Sequence, residues 1–352
     1  MNQKILHICG LDKFIPPFIN LIDENFDLNK HHFWLNGNHD NFKVYQSTNI
    51  YKVKKGVASK VKGYLKLLSL FKVSDKIILH GLLDPRIVII LFFMPWQLYK
   101  CHWAIWGADL YTYKLSKRNL KWRIKEFFRQ RVIREIGHIL TYIPGDVELA
   151  RKWYGAKGIH HECLMYQSNI IDQNIILPSA KIDVYNDLNI LIGNSADVSN
   201  NHIDSLKMLL PYKNHDIKIF APLSYGDKIY AKMISDKGRE WFGEKFTSIT
   251  TFMEYEDYIK FLKKIDIAIF NHKRQQAMGN IISLLGLGKK VFLRNSSSHY
   301  NYLKSLGCHL FDISKLNFER LDGEQAKCNF EIVANHFSKK KLVEQLSCIF
   351  ED

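Results

Sequence analysis

The sequence predicts an α/β protein built from two doubly wound, parallel-sheet domains of similar size, and three observations predict it. Short apolar runs closed by Gly or Pro alternate with helix-length segments along the chain, the pattern of strand–helix–strand crossovers. The 352 residues, 47% of them hydrophobic, suffice for two cores of ordinary domain size. Between the two series, residues 172–187 contain Pro178, Ser179 and several Asn and Asp residues without periodicity, and read as a linker.

In the first series, Lys4 to Cys9 reads as a strand closed by Gly10, followed by a helical pattern from Phe18 to Ile22. Further strands are Lys76 to His80 before Gly81, His102 to Trp106 before Gly107, and His138 to Tyr142 near Pro144. In the second series, Asn189 to Gly193 is a strand, Asn200 to Leu210 a helix, Ile217 to Pro222 a strand and Ala231 to Phe242 a helix. Glu254 to Ile265 forms a helix leading into the strand Asp266 to Phe270, and Met278 to Gly288 with Lys290 to Leu293 supplies one more helix and strand. Ligands of such sheets bind beyond the carboxyl ends of the strands. The expected domains are residues 1–175 and 188–335, with a C-terminal helix at 336–352 packing back on the first.

The chain carries 50 Lys and Arg against 35 Asp and Glu, a formal charge of +15. The excess is uneven: residues 1–180 hold 26 basic and 14 acidic side chains, or +12, and residues 181–352 hold 24 and 21, or +3. An anionic partner is therefore expected on the N-terminal half. Six dispersed cysteines (Cys9, Cys101, Cys163, Cys308, Cys328, Cys348) show no zinc-ligand spacing and read as reduced thiols of a cytosolic protein. The start of the chain lacks the pattern of a signal peptide. The most apolar stretch, Ile87 to Trp96, is interrupted by Pro95 and is shorter than the ~20 residues a membrane-spanning helix needs.

Membrane contact would then be peripheral. From Lys114 to Ile136, basic residues alternate with Leu120, Ile124, Phe127, Phe128 and Ile136 at helical spacing, and Lys52 to Lys76 repeats the arrangement with Val57, Val61, Leu65 and Leu68. A basic amphipathic helix lies on anionic lipid, or else turns its apolar face to the core.

Three segments point to chemistry. Gly193-Asn194-Ser195-Ala196-Asp197 follows a buried strand, and its backbone N–H groups can hold a phosphate; an ordinary turn is the other reading. Arg274-Gln275-Gln276-Ala277-Met278-Gly279-Asn280 joins a strand to an apolar helix, placing a guanidinium beside a helix N-terminus, where a diphosphate finds both cation and N–H donors. Gln275 and Gln276 can then bond sugar hydroxyls or an acetamido group, or remain surface polar residues. His102-Trp103-Ala104-Ile105-Trp106-Gly107-Ala108-Asp109 sets a carboxylate past a strand end, as a general base or as a turn-capping residue. His80, at the end of its own strand, binds substrate or closes the strand. The sequence contains no D-x-D, P-loop, G-x-G-x-x-G after the first strand, or nucleic-acid-binding signature. A metal-independent nucleotide-sugar site without a cofactor is expected, and no nucleic-acid partner.

The strings WAIWGADLY (103–111), ILIGNSADVSNNHID (190–204) and FNHKRQQAMGNIISLLGLGKKVFLR (270–294), with KILHICG and His80-Gly81, resemble glycosyltransferase family 56. Its members are the 4-acetamido-4,6-dideoxygalactose (Fuc4NAc) transferases of enterobacterial common antigen synthesis. The resemblance implies a GT-B fold, two Rossmann-like domains facing each other across a cleft. It further implies a dTDP-sugar donor, an undecaprenyl-diphosphate-linked oligosaccharide acceptor, and peripheral attachment to the cytoplasmic face of the inner membrane. It carries over Trp106, Gly107 and Asp109 on the acceptor side, and Gly193, Asn194, Ser195, Arg274, Gln275, Gln276 and Gly279, beside which Asn280 lies, on the donor side. Gly is usual in the family where this chain has Ala196 and Ala277. Alternatives are another NDP-sugar in O-antigen or capsule assembly, a nucleotide-sugar 2-epimerase, and a non-catalytic protein whose surface binds anions.

Overall fold

The computed structural model describes residues 3–37, 42–171 and 188–351, so the expected linker at 172–187 lies outside the described residues. The chain forms two compact units, Met1–Ser168 together with Lys339–Asp352, and Asn169–Ser338.

The first unit contains the strands β1 (Ile5–Leu11), β2 (His31–Gly37), β3 (Ile50–Lys52), β4 (Lys76–His80), β5 (Cys101–Ala104), β6 (His138–Leu140) and β7 (Ile159–His161). Its helices are α1 (Ile15–Asn25), α2 (Val57–Val73), α3 (Pro85–Phe93), α4 (Ala108–Leu115), α5 (Leu120–Glu135) and α6 (Pro144–Tyr154). The described strands form one parallel sheet in the order β3-β2-β1-β4-β5-β6-β7. Chain direction across the sheet reverses between β1 and β4, the switch point of a doubly wound fold. Leu6, Ile8, Ile77, Leu79 and Trp103 face a core that α2, α3, α5 and α6 close with Leu67, Leu91, Val132 and Val147.

The second unit contains β8 (Leu188–Ile192), α7 (His202–Leu209), β9 (Ile217–Pro222), α8 (Lys228–Phe242), β10 (Phe246–Ile249), α9 (Tyr255–Lys263) and β11 (Ile267–Phe270). It continues with α10 (Met278–Gly286), β12 (Lys290–Leu293), α11 (Ser298–Ser305), β13 (Phe311–Asp312) and α12 (Gly323–His336). Its parallel sheet runs β10-β9-β8-β11-β12-β13, with the switch between β8 and β11. Central strands are apolar on both faces, as parallel sheets require: every residue of β11 and β12 is buried. The last helix, α13 (Lys339–Glu351), belongs to the first unit, where Lys76 Nζ donates to the Ile349 carbonyl at 2.7 Å and Leu164 N–H to Gln345 Oε1 at 2.9 Å.

One expectation changes, and one alternative left open is met in part on each side. The strand expected to reach Trp106 stops at Ala104 because Gly107, at φ +76°, turns the chain into α4, so Asp109 lies in the first turn of that helix. The apolar residues singled out on the two basic segments divide: Val57, Val61, Leu65, Leu120, Ile124 and Phe127 are exposed, whereas Ile136 is buried and Leu68 and Phe128 pack against the core. Val57 is 83%, Leu120 73% and Phe127 65% exposed, whereas α5 buries Glu126, Arg129, Val132 and Ile133.

Candidate functional site

In the second unit the loops after β8 and β11 meet at the switch point. Gly193 adopts φ +64°, and a Cβ there would collide with His202 Nε2 and Asn200 Oδ1, so only glycine fits. Asn200 is the hub. Its Nδ2 donates to the Ser195 and Asp197 carbonyls, both at 3.1 Å, and its Oδ1 accepts the Asn194 N–H at 3.0 Å. Ser199 Oγ lies 2.7 Å from Gln276 Oε1 and 2.6 Å from Asp197 Oδ1, and Gln276 Nε2 donates to Asn194 Oδ1 at 3.0 Å. Asn194 also donates to the Tyr225 hydroxyl, and Asn280 to that of Tyr258, both at 2.9 Å.

This lattice presents a helix start that lacks a cap. Ala277 precedes α10 in the left-handed conformation, φ +61°, and makes no side-chain capping bond; that backbone costs an alanine about 1–2 kcal/mol. The leading N–H groups of a helix carry partial positive charge. Arg274 adds a full one, its Nη2 3.6 Å from Asp197 Oδ2. Burial works to raise the Asp197 carboxyl, but the bonds from Ser199 and the Arg274 charge outweigh it and hold the group below the usual range. Among the predicted residues, the fold thus joins Gly193, Asn194, Ser195, Arg274 and Gln276, and it places Gly279 and Asn280 in the first turn of α10. The Gln275 carbonyl accepts from Arg274 Nη1 at 3.3 Å.

Beneath the loops lie His202, His272 and His299, all buried. Burial pushes His202 and His299 down to about 4, and burial followed by the charges of His299, Arg274 and His202 pushes His272 well below its usual value. They are neutral at physiological pH.

In the first unit the predicted residues gather at the carboxyl ends of β4 and β5. Asp109 is fully buried. Its Oδ2 accepts the Leu82 N–H at 3.0 Å and the Trp103 indole at 2.7 Å; its Oδ1 accepts the Trp106 N–H at 3.0 Å and the Leu110 N–H at 2.9 Å. Four donors occupy the carboxylate, which fixes the turn carrying Trp106 and Gly107. Arg129, buried on α5 with its Nε 3.4 Å from Glu126, donates to the Leu82 and Asp109 carbonyls from below.

His80 is likewise occupied. Trp106 Nε1, a donor only, reaches the Tyr166 hydroxyl at 2.7 Å, so that hydroxyl turns its own proton to His80 Nδ1 at 2.7 Å. His80 then carries its proton on Nε2 and gives it to His7 Nδ1 at 3.1 Å, and His7 Nε2 donates to His31 Nδ1 at 2.9 Å. Such a chain needs neutral rings. Burial lowers His80 to about 3 and His31 to about 4, and it carries His7 well below its usual range. His80 therefore holds Tyr166 and Trp106 in place and has no free nitrogen to offer a substrate.

The sequence gives no sign of three other features. Asp12, one residue past β1, is half-buried; burial lifts its carboxyl to about 6 against the opposing Phe14 amide and Lys13 charge. Arg129 looks like one of many basic residues on α5. His102, His138 and His161, from β5, β6 and β7, bring ring nitrogens within 4.8 Å of one another, although their sequence spacing suggests no cluster. The His102 and His138 rings stack in parallel at 4.0 Å, and His138 Nδ1 bonds His161 Nε2 at 2.8 Å. Parallel rings cannot direct their in-plane lone pairs at one ion, so the trio stands as a hydrogen-bonded stack.

The family described as 4-alpha-L-fucosyltransferase, glycosyl transferase group 56, matches residues 20–326. Among solved structures, the chain is similar to sucrose-phosphate synthase from Thermosynechococcus elongatus, with TM-score 0.69, 9% identity, and 99% of this chain and 98% of that one covered. It is similar to Anabaena Alr3699/HepE in complex with UDP and glucose, with TM-score 0.66, 8% identity, and 99% of each chain covered. WaaG, a glycosyltransferase involved in lipopolysaccharide biosynthesis, aligns with TM-score 0.57 at 10% identity over 99% of this chain and 94% of that one. At these identities the likeness is one of fold, GT-B.

Proposed function

The chain belongs to glycosyl transferase group 56 and is a glycosyltransferase of the GT-B type, and from that premise we propose that it moves a 4-acetamido-4,6-dideoxyhexose from a dTDP-sugar to an undecaprenyl-diphosphate-linked oligosaccharide. The observation that carries the donor half is the uncapped N-terminus of α10 beside Arg274 and the locked loop 193–197. A departing nucleoside diphosphate gains negative charge as its bond to the sugar breaks, and fixed N–H groups with a guanidinium stabilise that charge without reorganising. Gln275 and Asn280, on the rim of this site, are suited to the acetamido and hydroxyl groups of the sugar.

The lipid half rests on the outward apolar faces of α2, α3 and α5. Val57, Val61, Leu65, Phe93, Trp96, Leu120, Ile124 and Phe127 are exposed, in the half of the chain that carries +12. An edge-to-face contact of Phe92 with Phe128, centroids 4.8 Å apart, ties α3 to α5. No helix among the described residues is long and apolar enough to cross a membrane. Apolar side chains set in a basic field suit the surface of anionic lipid, and on this reading the enzyme works peripherally at the cytoplasmic face of the inner membrane, where its acceptor is anchored.

The test is transfer from a panel of dTDP- and UDP-sugars to a lipid-diphosphate glycan. The expected product is the acceptor enlarged by one acetamidodideoxyhexose, made from the dTDP-sugar. Folded protein that transfers from no donor overturns the proposal.

A further inference from the structure

We propose that Asp12, in the turn after β1, takes the proton from the acceptor hydroxyl, and that Asp109 is a positioning residue. This rests on the glycosyl-transfer reading above.

The first distinction of Asp12 is its place. The switch point of the first sheet lies between β1 and β4, and reactive groups of doubly wound sheets collect at the carboxyl ends beside it. Asp12 follows β1 there, whereas Asp109 belongs to α4, after β5.

The second is availability. All four hydrogen bonds to the buried Asp109 carboxylate come from groups that fix the fold. The Asp12 carboxylate is held by amides of its own turn, Phe14 N–H reaching Oδ1 at 2.8 Å. Space lies beside it: Gly10 is exposed, and a Cβ built on it meets nothing within 4 Å.

The third is the surroundings. The Phe14 ring meets the Trp106 indole edge-to-face and the Tyr166 ring at a tilt, both at 6.0 Å between centroids. The carboxylate thus stands beside an aromatic surface of the kind sugars pack on, held in position by the Tyr166–His80 bond. The titratable groups facing Asp12 are Lys13 in its own turn, Cys9 on β1 and the Tyr166 hydroxyl. Burial raises both Cys9 and Tyr166 well above their usual values, so each is neutral where Asp12 titrates, near 6. A carboxylate of that basicity is ionised at neutral pH yet accepts a proton more readily than an ordinary one.

In the step itself the acceptor hydroxyl oxygen forms a bond to the anomeric carbon. The bond from that carbon to the diphosphate oxygen breaks, its electron pair leaving with the diphosphate. The hydroxyl proton passes to Asp12 and then to solvent.

The experiment compares wild type, Asp12→Asn and Asp12→Glu by transfer rate across pH, dTDP binding and thermal melting. We expect Asp12→Asn to lower kcat at least 100-fold while dTDP affinity and melting stay within error. The wild-type kcat profile should rise with pH through about 6, and Asp12→Glu should restore part of the rate. An active wild type whose profile lacks that limb, or whose folded Asp12→Asn variant turns over within threefold of it, overturns the assignment alone. A wild type inactive with every donor overturns the substrate reading and this assignment together. Should Asp12→Asn fail to fold, the wild-type profile and Asp12→Glu decide.

Discussion

Asn200 Oδ1 lies 2.8 Å from His272 Nε2, and the contact fixes a proton. Because Asn200 Nδ2 points at two carbonyls, which only accept, Oδ1 must accept from both Asn194 and His272. The hydrogen therefore sits on His272 Nε2, leaving Nδ1 bare in the interior, where burial keeps the ring neutral. One amide thus joins the ends of β8 and β11 to the loop 193–197.

Asn200→Asp should disrupt this junction with almost no change in volume. A carboxylate facing the Ser195 and Asp197 carbonyls leaves them unpaired, and a loss of about 3 kcal/mol is expected, together with at least tenfold weaker dTDP binding. Urea unfolding and titration calorimetry read the two effects. Nucleotide affinity equal to wild type would remove Asn200 from the donor site.

Arg274→Met should weaken binding according to the phosphate content of the ligand. Losing a charge-assisted contact costs about 1.5–3 kcal/mol, so dTDP should bind roughly ten- to a hundredfold less tightly while thymidine binds as before. Equal weakening of both ligands would indicate a loop collapse rather than a lost phosphate contact.

Arg129→Met should destabilise the first unit by about 3–5 kcal/mol, because it leaves Glu126 as an unpaired buried charge. Adding Glu126→Leu should recover most of the loss. A double variant no more stable than the single one would show that Arg129 acts mainly through the Leu82 and Asp109 carbonyls.

Acid should unfold the protein early. His31, His80 and His202 have folded values of about 4, 3 and 4, below the ordinary value of about 6.5. Between these limits the unfolded chain binds more protons, so stability is complete above 6.5 and falls as pH drops, each group contributing a slope of about 1.4 kcal/mol per pH unit. Chemical unfolding followed from pH 7.5 to 4.5 should show that decline, and a flat profile through pH 5 contradicts the neutral histidine chain.

Phe93→Ser combined with Trp96→Ser should leave melting unchanged, since both side chains are exposed, and weaken binding to vesicles of anionic lipid at least tenfold. Flotation assays separate the outcomes. Vesicle binding at wild-type strength would place the membrane contact elsewhere.

Much of this architecture is legible in sequence, for reasons specific to each element. β4, β9 and β12 are read with their observed ends because their apolar runs stop at Gly81, follow a polar stretch and begin after Gly288. β2 is missed, since His31, His32 and Asn36 interrupt its apolar pattern, and β10, four residues long, is too short to show a period. Periodicity identifies α2 and α5 as amphipathic but says nothing about which face is inward; only the fold shows that α5 buries Glu126 and Arg129 and exposes Leu120 and Phe127. The residues proposed for the donor side are visible as local strings because two short loops carry them. Asp12 acquires its character from burial near Cys9 and Tyr166, and the latter lies more than 150 residues away.

The return of α13 to the first unit has a consequence for biosynthesis. The chain departs that unit after Ser168 and rejoins it at Lys339, so a ribosome delivers all of the second unit before the segment whose Ile349 carbonyl accepts from the Lys76 ammonium and whose Gln345 Oε1 accepts from the Leu164 N–H. The second unit can therefore mature on the nascent chain, while the first waits with the α13-covered part of its sheet open, His7, His31 and Phe26 included, until α13 emerges.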